Sequence, residues 1–150
     1  MGAVLAAVVL QAATVTDRDT WAGVEPTHVL VPAPCEPAGS DWRRENGDPI
    51  DVEATTLLAS NAALLGCPPT PGTLTLTLRG TVAAGIGTRA VLVQGPRRLL
   101  DVELRDETRT FAVDVPAAGQ LLLAFVNDYY QPPEDRNLWV SGLAFTPRSP

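Results

Sequence analysis

Residues 73–79 read TLTLTLR, an unbroken two-residue alternation that places Leu74, Leu76 and Leu78 on one face of a strand and the threonines on the other. Half of that strand is expected to be buried. Shorter segments of the same character follow: AVLVQ at 90–94, LLDVEL at 99–104, TFAVDV at 110–115, LLLAFV at 121–126 and LWVSGLAF at 138–145. GPRR, RDET and PAAG separate several of them, and turns at such regular spacing predict an antiparallel β-sandwich of jelly-roll type. Residues 52–65 carry a helical spacing of apolar positions, but Thr55, Thr56 and Ser60 within them favour strands. No internal repeat and no linker divides the chain. Residues 14–49, rich in Pro, Gly, Asp and Trp, have no such pattern and are expected to form an irregular extension laid over a sandwich of residues 50–150.

Composition narrows the function classes. A chain of 150 residues is a single domain large enough for a real core. Its formal net charge is −6, with eleven arginines and no lysine. Such a surface repels phosphate, and no cluster of basic residues with interleaved aromatics offsets it, so nucleic acid is not an expected partner. Arg43 and Arg44, like Arg97 and Arg98, are isolated pairs of the kind found solvated in turns. Residues 1–13, MGAVLAAVVLQAA, are apolar but too short for a membrane-spanning helix of about twenty residues. They read as the remnant of an export signal, although no basic residue precedes the run and the cleavage pattern is poor. A buried first strand or helix is the alternative. Export implies a secreted, periplasmic or cell-surface protein.

Cys35 and Cys67 sit in the proline-rich contexts PAPCEPAG and LGCPPTPG, which are loops. In an exported protein a disulfide between them is expected, closing a loop worth roughly 3 to 4 kcal/mol in the chain-entropy account; two unrelated thiols are the other reading. Zinc is poorly supported, because His28 is the only histidine and no Cys-x-x-Cys spacing occurs. Catalysis is not expected either. His28 lies in the apolar stretch THVLV, where it is more simply a core or edge residue than a base. A glycosidase needs two carboxylates facing each other about 5 to 9.5 Å apart, which the adjacent Glu134 and Asp135 cannot do across a sugar ring. No phosphate-binding or dinucleotide-type glycine fingerprint is present.

The richest stretch is LAFVNDYYQPPEDRNLWV at 123–140. It places a polar loop between two apolar strands, opened by Asp128 and closed by Asp135, with Pro132 and Pro133 restricting its backbone. Two carboxylates on a stiffened loop suit a hard cation: calcium takes about six to eight oxygens and tolerates irregular arrangements. An acidic, proline-bearing turn that holds no ion is the plain alternative.

FVNDYYQPPEDRNLWV resembles the signature of the calcium-dependent xylan-binding carbohydrate-binding modules, in which Asn-Asp ends one strand and Asp-Arg-Asn-Leu begins the next. IDVEATTLLASNAALL, PGTLTLTLRGTVAAG and FAVDVPAAGQLLLAF resemble other strands of that family more generically, so the likeness spans about a hundred residues, Ile50 to Thr146. The chain departs from the family after Thr81, where AAGIGTRA stands in place of a longer Gly-rich turn with Trp-Pro. The resemblance implies non-catalytic, calcium-dependent binding of a polysaccharide such as xylan, galactan or a glucan. By it Asp128 and Asp135 ligate calcium, joined by Glu134 or a main-chain carbonyl of the 130–134 stretch, and vicinal sugar hydroxyls complete the shell. Tyr129 and Tyr130 are then the aromatic neighbours of the sugar, while strand alternation is expected to bury Trp139. Arg136 is expected to orient the loop by pairing a carboxylate, and Asn137 by bonding loop backbone. An exported structural or surface-assembly module that keeps the calcium and lacks glycan affinity is the second reading.

Overall fold

The computed structural model describes residues 42–149. The expectations placed on residues 1–41, including the export signal, His28 and Cys35, lie outside the described residues. Eleven strands follow one another in the described part: β1 Arg43–Arg44, β2 Thr56–Leu58, β3 Ala62–Gly66, β4 Gly72–Gly80, β5 Thr88–Gln94, β6 Arg97–Leu104, β7 Thr108–Val115, β8 Leu121–Phe125, β9 Tyr130–Gln131, β10 Glu134–Asp135 and β11 Leu138–Pro147. They form a four-stranded sheet in the order β2-β11-β4-β7, a five-stranded sheet in the order β1-β3-β8-β5-β6, and the small hairpin β9-β10. Every pairing between named strands is antiparallel. No helix among the described residues is long and apolar enough to cross a membrane.

The alternation at 73–79 does what it predicts: Leu74, Leu76 and Leu78 have no exposed surface and face the opposite sheet. They meet Leu64, Leu92, Leu104, Leu121, Leu123 and Phe125 of the five-stranded sheet in one continuous core. β8 reads LLLAF without alternation because it is a central strand buried at all five positions. Trp42 belongs to this core at 4% exposure, and its indole lies so close to Gly66 that a Cβ there would sit 2.6 Å from the ring. The C-terminal end of the 14–49 segment thus contributes both a core aromatic and the strand β1, which pairs with Leu64 and Leu65. Cys67, directly after β3, is 5% exposed and is not a free thiol.

Trp139 differs from its expectation. Leu138 and Val140 are the inward residues of β11, at 0% and 1% exposure, so the two-residue period turns Trp139 outward. It lies half-buried on the outer face of the four-stranded sheet, opposite Leu57 on one side and Arg79 on the other.

Candidate functional site

β8 and β11 belong to opposite sheets, and residues 126–137 carry the chain from one to the other at one end of the sandwich. The crossing is fixed by side chains. Asn127 takes over where the β8 ladder stops: its Oδ1 accepts from the Arg89 amide at 2.8 Å and its Nδ2 donates to the Gly87 carbonyl at 2.9 Å. The next amide, that of Asp128, donates to Asn61 Oδ1 at 2.8 Å. Both asparagines stand in for missing strand partners, as short amide side chains do at strand ends.

Beyond Asp128 the loop folds into its own hairpin, with Tyr130 opposite Asp135 and Gln131 opposite Glu134 around Pro132-Pro133. Tyr130 is 69% exposed. Tyr129 lies beneath Arg136, whose guanidinium carbon is 4.9 Å from the ring centroid. Arg136 itself is 6% exposed. Where a carboxylate partner was expected, the guanidinium instead spends its donors on main-chain carbonyls: Asn127 O at 2.6 Å, and Ala83 O at 3.1 and 3.3 Å from Nη2 and Nε. It thereby ties the loop to the turn between β4 and β5, a role that planar, multiply donating guanidinium suits.

That turn, residues 81–87, is the second wall. Thr81 Oγ1 donates to Asp135 O at 2.8 Å and accepts from the Asn137 amide at 2.9 Å. Thr88 Oγ1 bonds the carbonyls of Thr81 and Asn137. Gly87 donates to Glu103 Oε2 at 2.8 Å, and that bond, with Arg105 beside it, holds the Glu103 carboxyl below its ordinary pKa. A Cβ on Gly87 would lie 2.3 Å from Leu104 O, so the turn can approach β6 this closely only with glycine there.

The loop brings Asp128, Asp135 and Asn137 together and turns Glu134 away from them. Glu134 Oε1 accepts from the Ala84 amide, and no group of three Asp, Glu, His or Cys side chains suited to a metal forms among the described residues. Asp135 Oδ2 accepts from Asn137 Nδ2 at 2.8 Å. Asp128 Oδ1 and Asn137 Oδ1 are buried with no hydrogen-bond partner. Burial pushes the Asp128 carboxyl above its ordinary pKa, and the nearby Asp135 charge adds to the rise, against the Tyr129 amide and Arg136, which lower it. Two orphaned acceptor oxygens beside a second carboxylate form a locally electron-rich cluster, and buried oxygens without donors are costly. A hard cation is the kind of partner such an oxygen lacks. The donor set, oxygen only and irregular, suits calcium rather than zinc.

The buried Asp128 carboxylate, with Oδ1 lacking a donor, should weaken the calcium-free protein. Asp128→Asn, which removes the charge at constant size, is therefore expected to raise the melting temperature in chelator by ~3 °C. It should also remove any further rise on adding calcium. A scanning calorimetry trace in which the variant melts below wild type in chelator would show that the carboxylate is satisfied as it stands.

Asn61, Thr81 and Asn127 carry no predicted site role, and the 81–87 turn is marked in the sequence only as the place where the chain departs from the resembled family. Asn127 and Thr81 were visible as parts of the ND and RGT motifs. The reach of Asn61 from the β2–β3 connection, 67 residues away from Asp128, has no local signal.

No protein-family model matches the chain, and no curated protein matches it. Among solved structures it is similar to the cleaved adhesin domain of Lys-gingipain from Porphyromonas gingivalis, at 11% identity over 78% of this chain and 89% of that one, with a TM-score of 0.47. It is similar to CBM51 from Clostridium perfringens GH95 in complex with methyl-galactose, at 10% identity over 76% and 84% of the two chains and a TM-score of 0.46. A family 29 carbohydrate binding module complexed with cellulohexaose matches at 12% identity over 70% and 87%, with a TM-score of 0.40. None of these likenesses assigns a ligand to this chain.

Proposed function

We propose that this protein is a non-catalytic carbohydrate-binding module that holds calcium on the 128–135 loop and binds a xylan-like polysaccharide through it. The observation that carries the reading is the pair of buried, unpartnered oxygens, Asp128 Oδ1 and Asn137 Oδ1, the first near enough to the Asp135 charge to feel it and the second on the side chain that donates to Asp135. Asp128 and Asp135 would hold the ion, with Asn137 Oδ1 and a carbonyl of the 130–134 stretch as neutral oxygens. Bound calcium supplies a charge to which two vicinal sugar hydroxyls add as oxygen ligands in place of water. The chain's own part is positional. Arg136 and Asn127 fix where Asp128 begins, Thr81 fixes where Asp135 ends, and the exposed ring of Tyr130 stands at the rim, available to the apolar face of a sugar. The resemblance of FVNDYYQPPEDRNLWV to the xylan-binding modules adds the substrate class, and the expected Cys35–Cys67 disulfide belongs with an exported location.

Isothermal titration with oligomers of xylan, galactan and cellulose, in calcium and in chelator, tests the proposal. Binding of at least one oligomer series in calcium and none in chelator is expected. Affinity that survives chelation unchanged would remove the metal from the reading, and calcium binding with no affinity for any oligomer would leave a calcium-stabilised structural module.

A further inference from the structure

Trp139 lies one strand step beyond the candidate site. Asn137 and Thr81 pair across β11 and β4 at the mouth of the loop, and Trp139 and Arg79 are the next outward pair along the same two strands, about 7 Å further on. The row continues sideways across the sheet: Leu57, Trp139, Arg79 and Thr108 are cross-strand neighbours on four adjacent strands, a span of roughly 15 Å at the usual strand spacing. Leu57 is 42% exposed although it is a large apolar residue. Arg79 lies over the Trp139 ring, its guanidinium carbon 4.8 Å from the centroid. This stacking fixes both flat groups in place and leaves less side-chain freedom to be lost on binding. Arg79 makes no ion pair among the described residues, so its donors face outward unspent.

The next outward row is hydroxyl-bearing. Ser141, Thr77 and Thr110 are aligned across β11, β4 and β7, and the hydroxyls of Thr77 and Thr110 lie 2.9 Å apart. No carboxylate occurs in either row. A face that combines one aromatic ring, one planar set of N–H donors and a row of hydroxyls, without negative charge, matches a ligand with alternating apolar faces and hydroxyl edges. A self-complementary dimer face would need a larger and more apolar patch.

We infer that the outer face of the four-stranded sheet, through Leu57, Trp139 and Arg79, is a second glycan-contact surface continuous with the Asp128–Asp135 loop, so that the protein engages an internal stretch of an extended, uncharged polysaccharide. The inference rests on the calcium-mediated reading for its first sugar subsite and adds the subsites beyond it. The chain's net charge of −6 disfavours polyanionic glycans as the occupant.

Calcium-loaded protein titrated with the disaccharide and hexasaccharide of xylan, galactan and cellulose provides the test, on wild type, Trp139→Ala, Arg79→Ala and Asp128→Ala. Wild type should bind one hexasaccharide at least about ten-fold more tightly than its disaccharide, and Trp139→Ala should lose that gain while keeping disaccharide affinity and calcium. Arg79→Ala, which leaves the strand's buried side intact, should lose part of it. A full hexasaccharide advantage in both sheet variants would overturn the inference and leave the loop reading standing. Equal wild-type affinity for both lengths would do the same. Hexasaccharide binding that survives Asp128→Ala and disappears with Trp139→Ala would instead overturn the loop reading alone. If the sheet variants change only self-association in sedimentation runs, the face is an interface between copies and the inference falls.

Discussion

Asp135→Ala and Asp128→Ala should each lower calcium affinity by about 100-fold or more and abolish oligosaccharide binding with it, while the sandwich stays folded. With Glu134 held by the Ala84 amide, Asp128 and Asp135 are the two loop carboxylates left for an ion, so either substitution halves the charge it would meet. Asp135 also receives the Asn137 amide group, and its loss would free that side chain to rotate away from the cluster. The strands do not depend on either residue. Their stability comes from the leucine-rich interface between the sheets, which the loop does not enter. Calorimetric titration with calcium, followed by near-ultraviolet circular dichroism of the same samples, separates the two effects. A variant that has lost glycan affinity but binds calcium as wild type does would contradict the idea that the sugar is held through the ion.

The second large effect is expected at Arg136. Replacing it with alanine removes a buried guanidinium that satisfies two main-chain carbonyls, Asn127 O and Ala83 O, and covers the Tyr129 ring. Unfilled, those carbonyls lose their partners in a poorly hydrated place, and the cost should be about 3 kcal/mol, or a fall in melting temperature of about 9 °C for a domain of this size. Arg136→Lys should recover little, because a compact ammonium lacks the wide planar fork whose three nitrogens reach carbonyls in two segments. Thermal unfolding of both variants in chelator gives the answer, and a lysine variant that melts with wild type would refute it. Calcium affinity should fall as well in Arg136→Ala, since the carbonyl preceding Asp128 loses its guanidinium partner.

The sandwich was legible in the sequence wherever one face of a strand is wet. TLTLTLR, TFAVDV and LWVSGLAF lie in strands of the four-stranded sheet, and the alternation or aromatic content of each shows through. β8 was legible for the opposite reason, its unbroken apolar run being that of a strand buried on both faces. Strand identity does not fix which face a residue takes. Alternation alone does not say which of the two faces is inward: it was read as burying Trp139, yet the neighbouring Leu138 and Val140 fill the inward positions. At the loop a compact motif carries Asp128, Asp135 and Asn137, but Asn137, expected to bond loop backbone, donates instead to the Asp135 carboxylate. Arg136 was read with the wrong partner, since charge predicts a carboxylate while the partners it finds are backbone carbonyls, which no residue pattern marks. Asn61 was invisible, because its role depends on the β2–β3 connection arriving beside β8.

The loop's two ends hang from different layers, one from the central strand of the five-stranded sheet and the other from β11 in the four-stranded sheet. Parting the layers means breaking the Arg136–Asn127 and Thr88–Asn137 contacts that join the two sides of this seam. An ion or sugar that binds the closed seam and not the parted layers turns occupancy into durability: at one hundred times its dissociation constant it adds about 2.7 kcal/mol against unfolding. On the proposed reading, attachment to a glycan and resistance to unfolding would then be the same event.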